Sequence, residues 1–225
     1  MKLILSWSGG KDSALSLHTL RQTGEHDVTA LLTTVTREYD RISMHGVRRT
    51  LLHQQAEAVG LPVLEVFITP GASNEEYENN MGAVLAAYKE QDIEAVAFGD
   101  IFLEDLRAYR EQNLAKLDLQ ALFPIWKRDT HELAQTFLSL GFKAVVTCVD
   151  THALDASFAG RTIDEAFLRD LPEGVDPCGE NGEFHSFVFD GPILTRPIPF
   201  TLGELILRDD RFYFCDLIPQ MPIQY

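Results

Sequence analysis

The stretch of the chain that decides the fold is Ser8-Gly9-Gly10-Lys11-Asp12-Ser13. A short apolar run at residues 2–7 precedes this motif and predicts a buried strand, and apolar residues at helical spacing follow it over residues 13–20. The motif is therefore predicted to be a strand-to-helix turn. Two adjacent glycines let an anion approach the backbone amides, and the positive end of the following helix faces that anion. The sequence thus predicts a phosphate-binding loop in which Lys11 adds a positive charge.

The motif, S-G-G-K-D-S, differs from the Walker phosphate loop because its lysine follows the glycines too closely. We expect Ser8 or Ser13 to cap the helix. An ordinary capped connection with a surface lysine is the alternative. The motif resembles the signature of the PP-loop ATP pyrophosphatases. That resemblance implies cleavage of ATP between its α- and β-phosphates, transfer of AMP to a substrate oxygen and release of pyrophosphate.

Composition and charge restrict the class of protein. The 225 residues include 19 Lys and Arg against 34 Asp and Glu, a formal net charge of −15 that disfavours nucleic acid and anionic membranes as partners. The chain has no long uncharged apolar run, and the motif follows Met1 so closely that we expect no signal peptide and a cytoplasmic location. The three cysteines are far apart, which indicates neither a disulfide framework nor a C-x-x-C zinc site.

Strands and helices alternate over the first half of the chain. Further strands are predicted at residues 28–35, 63–68, 95–98 and 121–126. The last of these is placed at a sheet edge because it contains a proline. Helices are predicted between them at residues 47–59, 74–91 and 103–117. This alternation predicts an α/β fold of the Rossmann-like kind with a parallel five-stranded sheet.

The second half of the chain predicts a smaller α+β unit. Helices are expected at residues 130–140 and 166–171. Strands are expected at residues 144–149, 184–189, 193–198, 205–207 and 212–218. We therefore predict a nucleotide-binding domain over residues 1–128 and a substrate-binding domain over residues 129–225.

Polar residues follow several predicted strands at the sheet edge where the phosphate loop lies, which is where ligands bind in open parallel sheets. Thr33 is expected to line an adenosine pocket, or else to be an ordinary β-branched strand residue. Gly99 and Asp100 are expected to position the nucleotide, with Asp100 near magnesium or, alternatively, capping a helix. His45 and Arg48 are expected to bind an acidic substrate or phosphate, although they also fit an exposed helix start.

A second chemically rich stretch, D-P-C-G-E-N-G-E-F-H, occupies residues 176–185 and precedes an apolar strand. Its acids can orient an amine or a metal, and its histidine can carry a proton. A glycine-rich turn with solvated acids is the alternative. A nucleophilic role for Cys178 is disfavoured because no histidine can be paired with it. The predicted substrate-binding residues of this loop are Glu180, Asn181, Gly182, Glu183 and His185.

Several motifs together resemble the diphthine-ammonia ligase family of PP-loop enzymes. Besides S-G-G-K-D-S they are M-H-G-V-R-R at residues 44–49, G-D at 99–100, F-P-I-W at 123–126, G-E-N-G-E-F-H-S-F at 179–187 and D-G-P at 190–192. The resemblance implies a PP-loop (HUP-type) nucleotide domain, a smaller substrate domain and ATP-dependent conversion of a carboxylate to an amide. Eukaryotic and archaeal ligases have E-G-G-E-Y-E-T in the second loop. The form found here is similar to that of bacterial members whose substrate is not diphthine. Cobalamin-related carboxylates are one suggested substrate of some bacterial relatives.

The function predicted from this resemblance is an AMP-forming amide ligase that adenylates a carboxylate and joins it to ammonia. The predicted catalytic residues are Lys11, Asp12, Asp100 and Glu183. The predicted nucleotide-binding residues are Ser8, Gly9, Gly10, Lys11, Asp12, Ser13, Thr33 and Gly99. ATP and magnesium are the expected cofactors, with magnesium bound mainly through the phosphates. The expected partners are ammonia and a carboxylate that is either a small molecule or carried on a protein, and a homodimer is left open. The alternative functions are a PP-loop RNA-modifying enzyme and a non-catalytic adenine nucleotide sensor.

Overall fold

A six-stranded sheet in the first half of the chain carries the phosphate loop. The computed structural model describes residues 1–220, so the end of the predicted second domain, residues 221–225, lies outside the described residues. The strands of this sheet are β1 (Lys2–Ser6), β2 (Asp27–Thr36), β3 (Arg41–Ile42), β4 (Val63–Ile68), β5 (Ala95–Ala97) and β6 (Gln120–Leu122). The parallel strands have the order β4-β2-β1-β5-β6, and β3 pairs antiparallel with the end of β2. The Rossmann-like α/β fold predicted from the sequence is confirmed.

Four helices cover the two faces of this sheet. They are α1 (Lys11–Thr23), α2 (Arg49–Val59), α3 (Asn74–Lys89) and α4 (Glu104–Ala115). Alternate residues of β1 point to opposite faces, so that Leu3 and Leu5 pack in the cluster with α1 and α2, and Ile4 packs in the cluster with α3 and α4. After β1 the chain adds β2 and β4 on one side of β1, and it later adds β5 and β6 on the other side. Such a reversal of strand order opens a crevice at the carboxyl ends of β1 and β5.

The second half of the chain forms an antiparallel sheet with two helices. The helices are α5 (Thr130–Ser139) and α6 (Glu165–Asp170), and a short 3₁₀ turn spans Ala156–Phe158. The strands are β7 (Lys143–Asp150), β8 (Phe184–Asp190), β9 (Phe200–Arg208) and β10 (Phe212–Pro219), in the order β8-β7-β10-β9. The apolar cluster around α1 and α2 continues into this half through Phe187 and Val188 of β8. A boundary at residue 128 stays a prediction.

Two predicted strands are wrong in whole or in part, and one observed strand was not predicted. Residues 123–126 form a turn after β6, closed by a hydrogen bond from the Trp126 amide to the Phe123 carbonyl, because Pro124 has no amide for a sheet ladder. Residues 193–198 form a loop that contains Pro197. In this loop the Thr195 amide donates a hydrogen bond to the Ala58 carbonyl. The two-residue strand β3 was missed because its pattern is too short to detect.

No helix among residues 1–220 is both long enough and apolar enough to cross a membrane.

Candidate functional site

The phosphate loop joins β1 to α1 at the carboxyl edge of the parallel sheet. The N-cap residue of α1 is Gly10, and no side chain caps the helix, so the expected cap by Ser8 or Ser13 is wrong. The Ser8 hydroxyl instead accepts a hydrogen bond from the Gly10 amide at 3.2 Å, and the Ser13 hydroxyl donates to the Gly10 carbonyl at 2.9 Å. The amides of Asp12 and Ser13 donate to no other residue within residues 1–220. Free amides at the positive end of a helix fit an anionic group such as phosphate.

The phosphate loop is held in place by α2 and by β8. Gly9 has a φ of +77°, and its carbonyl accepts hydrogen bonds from Gln55 Nε2 at 3.0 Å and from the Val188 amide at 2.8 Å. Gln55 also accepts a hydrogen bond from Trp7 Nε1 at 2.8 Å and donates to the Val188 carbonyl at 2.7 Å. The Ser186 hydroxyl accepts a hydrogen bond from the Lys11 amide at 3.2 Å. The shape of the loop therefore depends on residues from both halves of the chain.

Gln55 and Ser186 were not predicted from the sequence. Gln55 is completely buried on the same helix face as Leu51, Leu52 and Val59, so an uncharged polar residue at a core position was an available signal. Ser186 carried no such signal, because its contact with the Lys11 amide spans 175 positions of sequence.

Lys11 links the phosphate loop to the second loop. Its buried ammonium group donates to both carboxylate oxygens of Asp12, at 2.8 and 2.7 Å, and to the carbonyl of Cys178. Burial disfavours the charged form of this amine, but Asp12, Cys178 and Glu180 together outweigh burial, and the pKa of Lys11 lies above its ordinary value. The side chain therefore stays cationic. Burial raises the pKa of the Asp12 carboxyl above its usual range.

The second loop, residues 176–183, is braced by its own carboxylates. The Asp176 carboxylate accepts hydrogen bonds from the amides of Cys178 at 3.2 Å and Glu180 at 2.9 Å. The buried Glu183 carboxylate accepts from the amides of Asp176 at 3.1 Å and Asn181 at 3.0 Å, and from Asn181 Nδ2 at 2.9 Å. Neither Glu183 nor Asn181 lines the phosphate-loop cleft, so the structure does not bring these two predicted residues to the ligand side.

Glu180 lines the cleft and reaches back to the parallel sheet. Its carboxylate accepts a hydrogen bond from the Ile101 amide at 2.7 Å, just after β5. A weaker hydrogen bond comes from the Phe102 amide at 3.4 Å. Burial raises the pKa of this carboxyl to about 7, because the two backbone donors do not offset the loss of water and the nearby charge of Asp12. A carboxyl that titrates near neutrality can accept or release a proton under physiological conditions.

His45 and His185 stack on each other at the edge of the cleft. Their ring centroids are 4.4 Å apart, and the His45 Nδ1 atom is buried with no hydrogen-bond partner among residues 1–220. Burial lowers the pKa of His185 to about 4, and burial together with His185 keeps the pKa of His45 well below its usual value. Gly46 makes this arrangement possible, because its φ is +68° and a Cβ at this position would lie 2.7 Å from the ring of Phe214. Both imidazoles are therefore neutral near pH 7.

Three predicted residues at the strand-end face have protein partners. Both oxygens of Asp100 are engaged by Arg110, at 2.5 Å from Nε and 3.1 Å from Nη2. Arg48 forms a bidentate ion pair with Asp216, at 3.0 and 2.6 Å. Gly99 lies against the backbone of the first turn of α1, so its small size allows α1 to approach the sheet closely.

Thr33 lies in the sheet and does not line the cleft. Its hydroxyl donates to the Trp7 carbonyl at 2.8 Å, and the residue is buried. An apolar pocket of about 230 Å³ lies nearby between the sheet, α3 and α4, and it meets the phosphate-loop cleft, of about 390 Å³, at four shared residues. These shared residues are Ser6, Leu32, Tyr77 and Arg110.

Cys178 has no properties of a nucleophile. Burial raises the pKa of its thiol to about 12, and the thiol donates to the Thr130 carbonyl at 3.4 Å. Among the described residues, no group of three or more His, Cys, Asp or Glu side chains is arranged to hold a metal ion.

Two family models match nearly the whole chain. Residues 1–121 match the model described as the diphthamide synthase N-terminal domain, and residues 129–213 match the model of the diphthamide synthase C-terminal domain. The chain belongs to the diphthamide synthase family. The resemblance noted from the motifs is thus confirmed for the family, with the phosphate loop in the first matched segment and the second loop in the other.

Curated relatives in this diphthamide synthase family are named diphthine–ammonia ligases. The relative from Danio rerio is 27% identical over 232 residues, which cover 93% of this chain and 90% of the relative. The human relative is 26% identical and is matched over 92% of this chain and 86% of its own length. The relative from Schizosaccharomyces pombe is 26% identical, with 92% of this chain and 37% of the relative covered.

Proposed function

We propose that this chain is an ATP-dependent ligase that joins ammonia to a carboxylate. The relatives named above are ammonia ligases by their printed names. The observation that carries the proposal is that Asp12 and Ser13, whose amides bind no other residue within residues 1–220, line the same cleft as Glu180 and His185. A site for phosphate and groups able to handle a proton therefore face one space.

The cleft and the adjoining apolar pocket fit an adenine nucleotide. The free amides of Asp12 and Ser13 and the hydroxyl of Ser8 suit the phosphates, and the apolar pocket suits the base. In this proposal Leu32 and Phe98, which line the pocket, replace Thr33 as the residues beside the base. Magnesium would be held mainly by the phosphates, because Arg110 already occupies both oxygens of Asp100.

ATP supplies an α-phosphate that a carboxylate oxygen of the acceptor attacks, and pyrophosphate leaves as the new bond forms. Lys11 neutralises the charge that develops on the phosphate oxygens. Ammonia then attacks the acyl carbon, and AMP leaves. Glu180 accepts the proton that the attacking nitrogen releases, for which a pKa of about 7 is well suited.

The acceptor is proposed to differ from diphthine. The second loop reads G-E-N-G-E-F-H-S-F, and we assign the chain to the bacterial type of the family on this basis. The division into domains at residue 128, the cytoplasmic location and a homodimer stay predictions.

Pyrophosphate release from ATP and magnesium tests the proposal. The assay would use a panel of carboxylates that includes diphthine carried on elongation factor and corrinoid acids, with and without ammonium. We expect AMP and pyrophosphate in equal amounts, with amide formed only when ammonium is present. Transfer of isotopic oxygen from a labelled carboxylate to AMP would identify the acyl adenylate.

The matched lysine variants for this assay are Lys11→Ala and Lys143→Ala. Lys143 is an exposed residue that pairs with Asp190, away from the cleft. We expect the first variant to lose about 100-fold or more in rate and the second to keep it, since only Lys11 is proposed to stabilise the transition state. Products of ADP and orthophosphate would contradict the proposal, and so would equal rates in the two variants.

A further inference from the structure

A second cavity adjoins the phosphate-loop cleft on the side of the antiparallel sheet. It measures about 600 Å³ and lies between residues 36–46 and the β9–β10 hairpin. It shares lining residues with the phosphate-loop cleft, namely Ile42, Ser43, Met44 and His185. The two cavities therefore meet at these four residues, none of which lines the apolar pocket between α3 and α4.

Three residues that line this cavity, Ile206, Phe214 and His185, lie in one row across the antiparallel sheet, in which the buried Cys148 stands between Phe214 and His185. Ile206 of β9 pairs with Phe214 of β10, Phe214 pairs with Cys148 of β7, and Cys148 pairs with His185 of β8. Directly paired residues share a face of the sheet. The row therefore runs from an apolar and aromatic surface at the hairpin to an imidazole at the phosphate-loop cleft.

Charge is distributed unevenly around this cavity. Arg41 and Arg48 both pair with Asp216, which leaves one positive charge in excess. Arg208 lines the same cavity and forms no ion pair with another of residues 1–220. Arg208 and the acids Glu204 and Asp209 are all exposed, so these three residues give the rim an excess of one negative charge. An anionic group is therefore favoured at the inner end of the cavity and disfavoured at its rim.

The inner end of the cavity also has an unused hydrogen-bonding atom. The Nδ1 atom of His45 is buried without a partner among the described residues, and its ring stacks on that of His185. Lys11 lines the adjoining cleft. A buried polar atom without a partner costs free energy unless a ligand or water satisfies it. A carboxylate between the imidazoles and the phosphate loop would meet this requirement.

We propose that this cavity, the acceptor pocket, binds a carboxylic acid whose planar apolar body lies over Phe214 and Ile206 and whose carboxylate points inward past His185. This assignment rests on the proposed function, because it gives the acceptor a place beside the phosphate loop. The volume accommodates a body much larger than acetate. A free acid and a carboxyl side chain on a protein present the same chemistry to this pocket.

The test compares two tryptophan substitutions at adjacent positions of β9. Ile206 lies on the pocket floor, whereas Leu207 is 48% exposed and belongs to the other face of the strand. The probes are 2-naphthoate and acetate, titrated by NMR without nucleotide, and ATP binding is measured separately by calorimetry. We expect 2-naphthoate to bind at least about tenfold tighter than acetate, because its ring buries apolar area on the floor.

Ile206→Trp should fill the pocket floor and weaken 2-naphthoate binding by at least about tenfold. Leu207→Trp should leave 2-naphthoate binding unchanged. Both variants should keep the ATP affinity of the wild-type protein. Equal 2-naphthoate binding in the two variants would overturn the assignment. A dissociation constant weaker than about 10 mM for the wild-type protein would overturn it as well. Failure of the wild-type protein to bind ATP or to form pyrophosphate would instead refute the proposed function.

The source of the acid is distinguished by competition. One competitor is a protein whose acceptor carboxyl is a side chain. If it displaces 2-naphthoate from the wild-type chain and from Leu207→Trp, this supports a protein-borne acceptor in this pocket. Displacement by free corrinoid acids supports a small-molecule acceptor in the same pocket. Failure of every acid other than 2-naphthoate to displace the probe would overturn the proposed role of the pocket.

Discussion

Gln55 is one buried amide that satisfies three partners. It accepts from Trp7 Nε1 and donates to the carbonyls of Gly9 and Val188, so it ties the phosphate loop to β8. Replacement by an apolar residue of similar size leaves the indole N–H and the Val188 carbonyl buried without partners. The geometry of the phosphate loop therefore depends on a residue that does not line the cleft.

We expect Gln55→Leu to lower the free energy of unfolding by about 2–4 kcal/mol and to weaken ATP binding. Urea unfolding and calorimetric titration with ATP measure the two effects. Thr50→Ala on the exposed side of the same helix is the control and should change neither. Equal behaviour of the two variants would show that the hydrogen bonds of Gln55 do not hold the loop.

Glu180 should give the reaction a pH dependence. The raised pKa, about 7, means that the carboxyl is protonated below neutrality and cannot then accept a proton. The rate of amide formation should therefore rise as the pH increases through about 7. Hydroxylamine is the better amine for this profile, because it is largely unprotonated at neutrality, whereas ammonia is almost entirely protonated there.

Glu180→Gln keeps an acceptor for the Ile101 amide but cannot take a proton. We expect this variant to lose the rise near pH 7 and about 100-fold in rate. Asp190→Asn, at an exposed ion pair with Lys143, serves as the control. An unchanged pH profile in Glu180→Gln would assign the proton transfer to another group.

The segment before α2 depends on a glycine that packs on the other sheet. Gly46 and Gly24 both have a φ near +65°, at 68° and 65°, but a Cβ on Gly46 would meet Phe214 at 2.7 Å, whereas one on Gly24 would meet nothing within 4 Å. The two positions share the cost of a left-handed backbone and differ in packing.

We expect Gly24→Ala to cost about 1 kcal/mol of stability from the backbone alone. Gly46→Ala should cost about 1–3 kcal/mol more, because the segment must move away from Phe214. That movement would also separate His45 from His185, which NMR of the two imidazoles can detect. Equal loss of stability in the two variants would show that Phe214 moves away from a Cβ at position 46 at little cost in free energy.

The sequence predicted the elements well where their pattern is local. The strand at residues 63–68 has the predicted bounds, and α1 follows the phosphate loop as expected. The prediction was wrong for residues 193–198, where an apolar run packs as a loop against α2. Periodicity measures apolarity and spacing, so it does not distinguish a buried loop from a buried strand.

Only part of the candidate site could be predicted from the sequence, because local patterns do not show which distant residues meet. Lys11, Glu180 and His185 line one cleft, as their motifs suggested. The partners of Asp100, Arg48 and the phosphate loop come from distant parts of the chain and are set by the packing of the two sheets. The acceptor pocket likewise needs four strands in register before its floor exists.

At the scale of the whole molecule, the phosphate loop belongs to both halves. The Gly9 carbonyl accepts from the Val188 amide, and the Lys11 amide donates to Ser186, both on β8. A ligand on the loop should therefore stabilise the antiparallel sheet as well as the parallel one.

Hydrogen exchange with and without ATP measures this coupling. We expect slower exchange in the Val188 amide and its neighbours on β8 when ATP is bound, although β8 lies far along the chain from the loop. The β9 strand, at the far edge of the sheet, should change less. Protection confined to residues 1–128 would show that the halves respond independently.

The bond between Lys11 and Ser186 also bears on how the protein is made. The hydroxyl partner of the phosphate loop is synthesised 175 positions after the loop itself. At ordinary rates of translation this interval lasts roughly 9–35 seconds. During that time the nascent chain carries the nucleotide motif without the strand that shapes it. Tight capture of ATP should therefore begin only after β8 has been synthesised, so that products truncated before β8 do not sequester nucleotide.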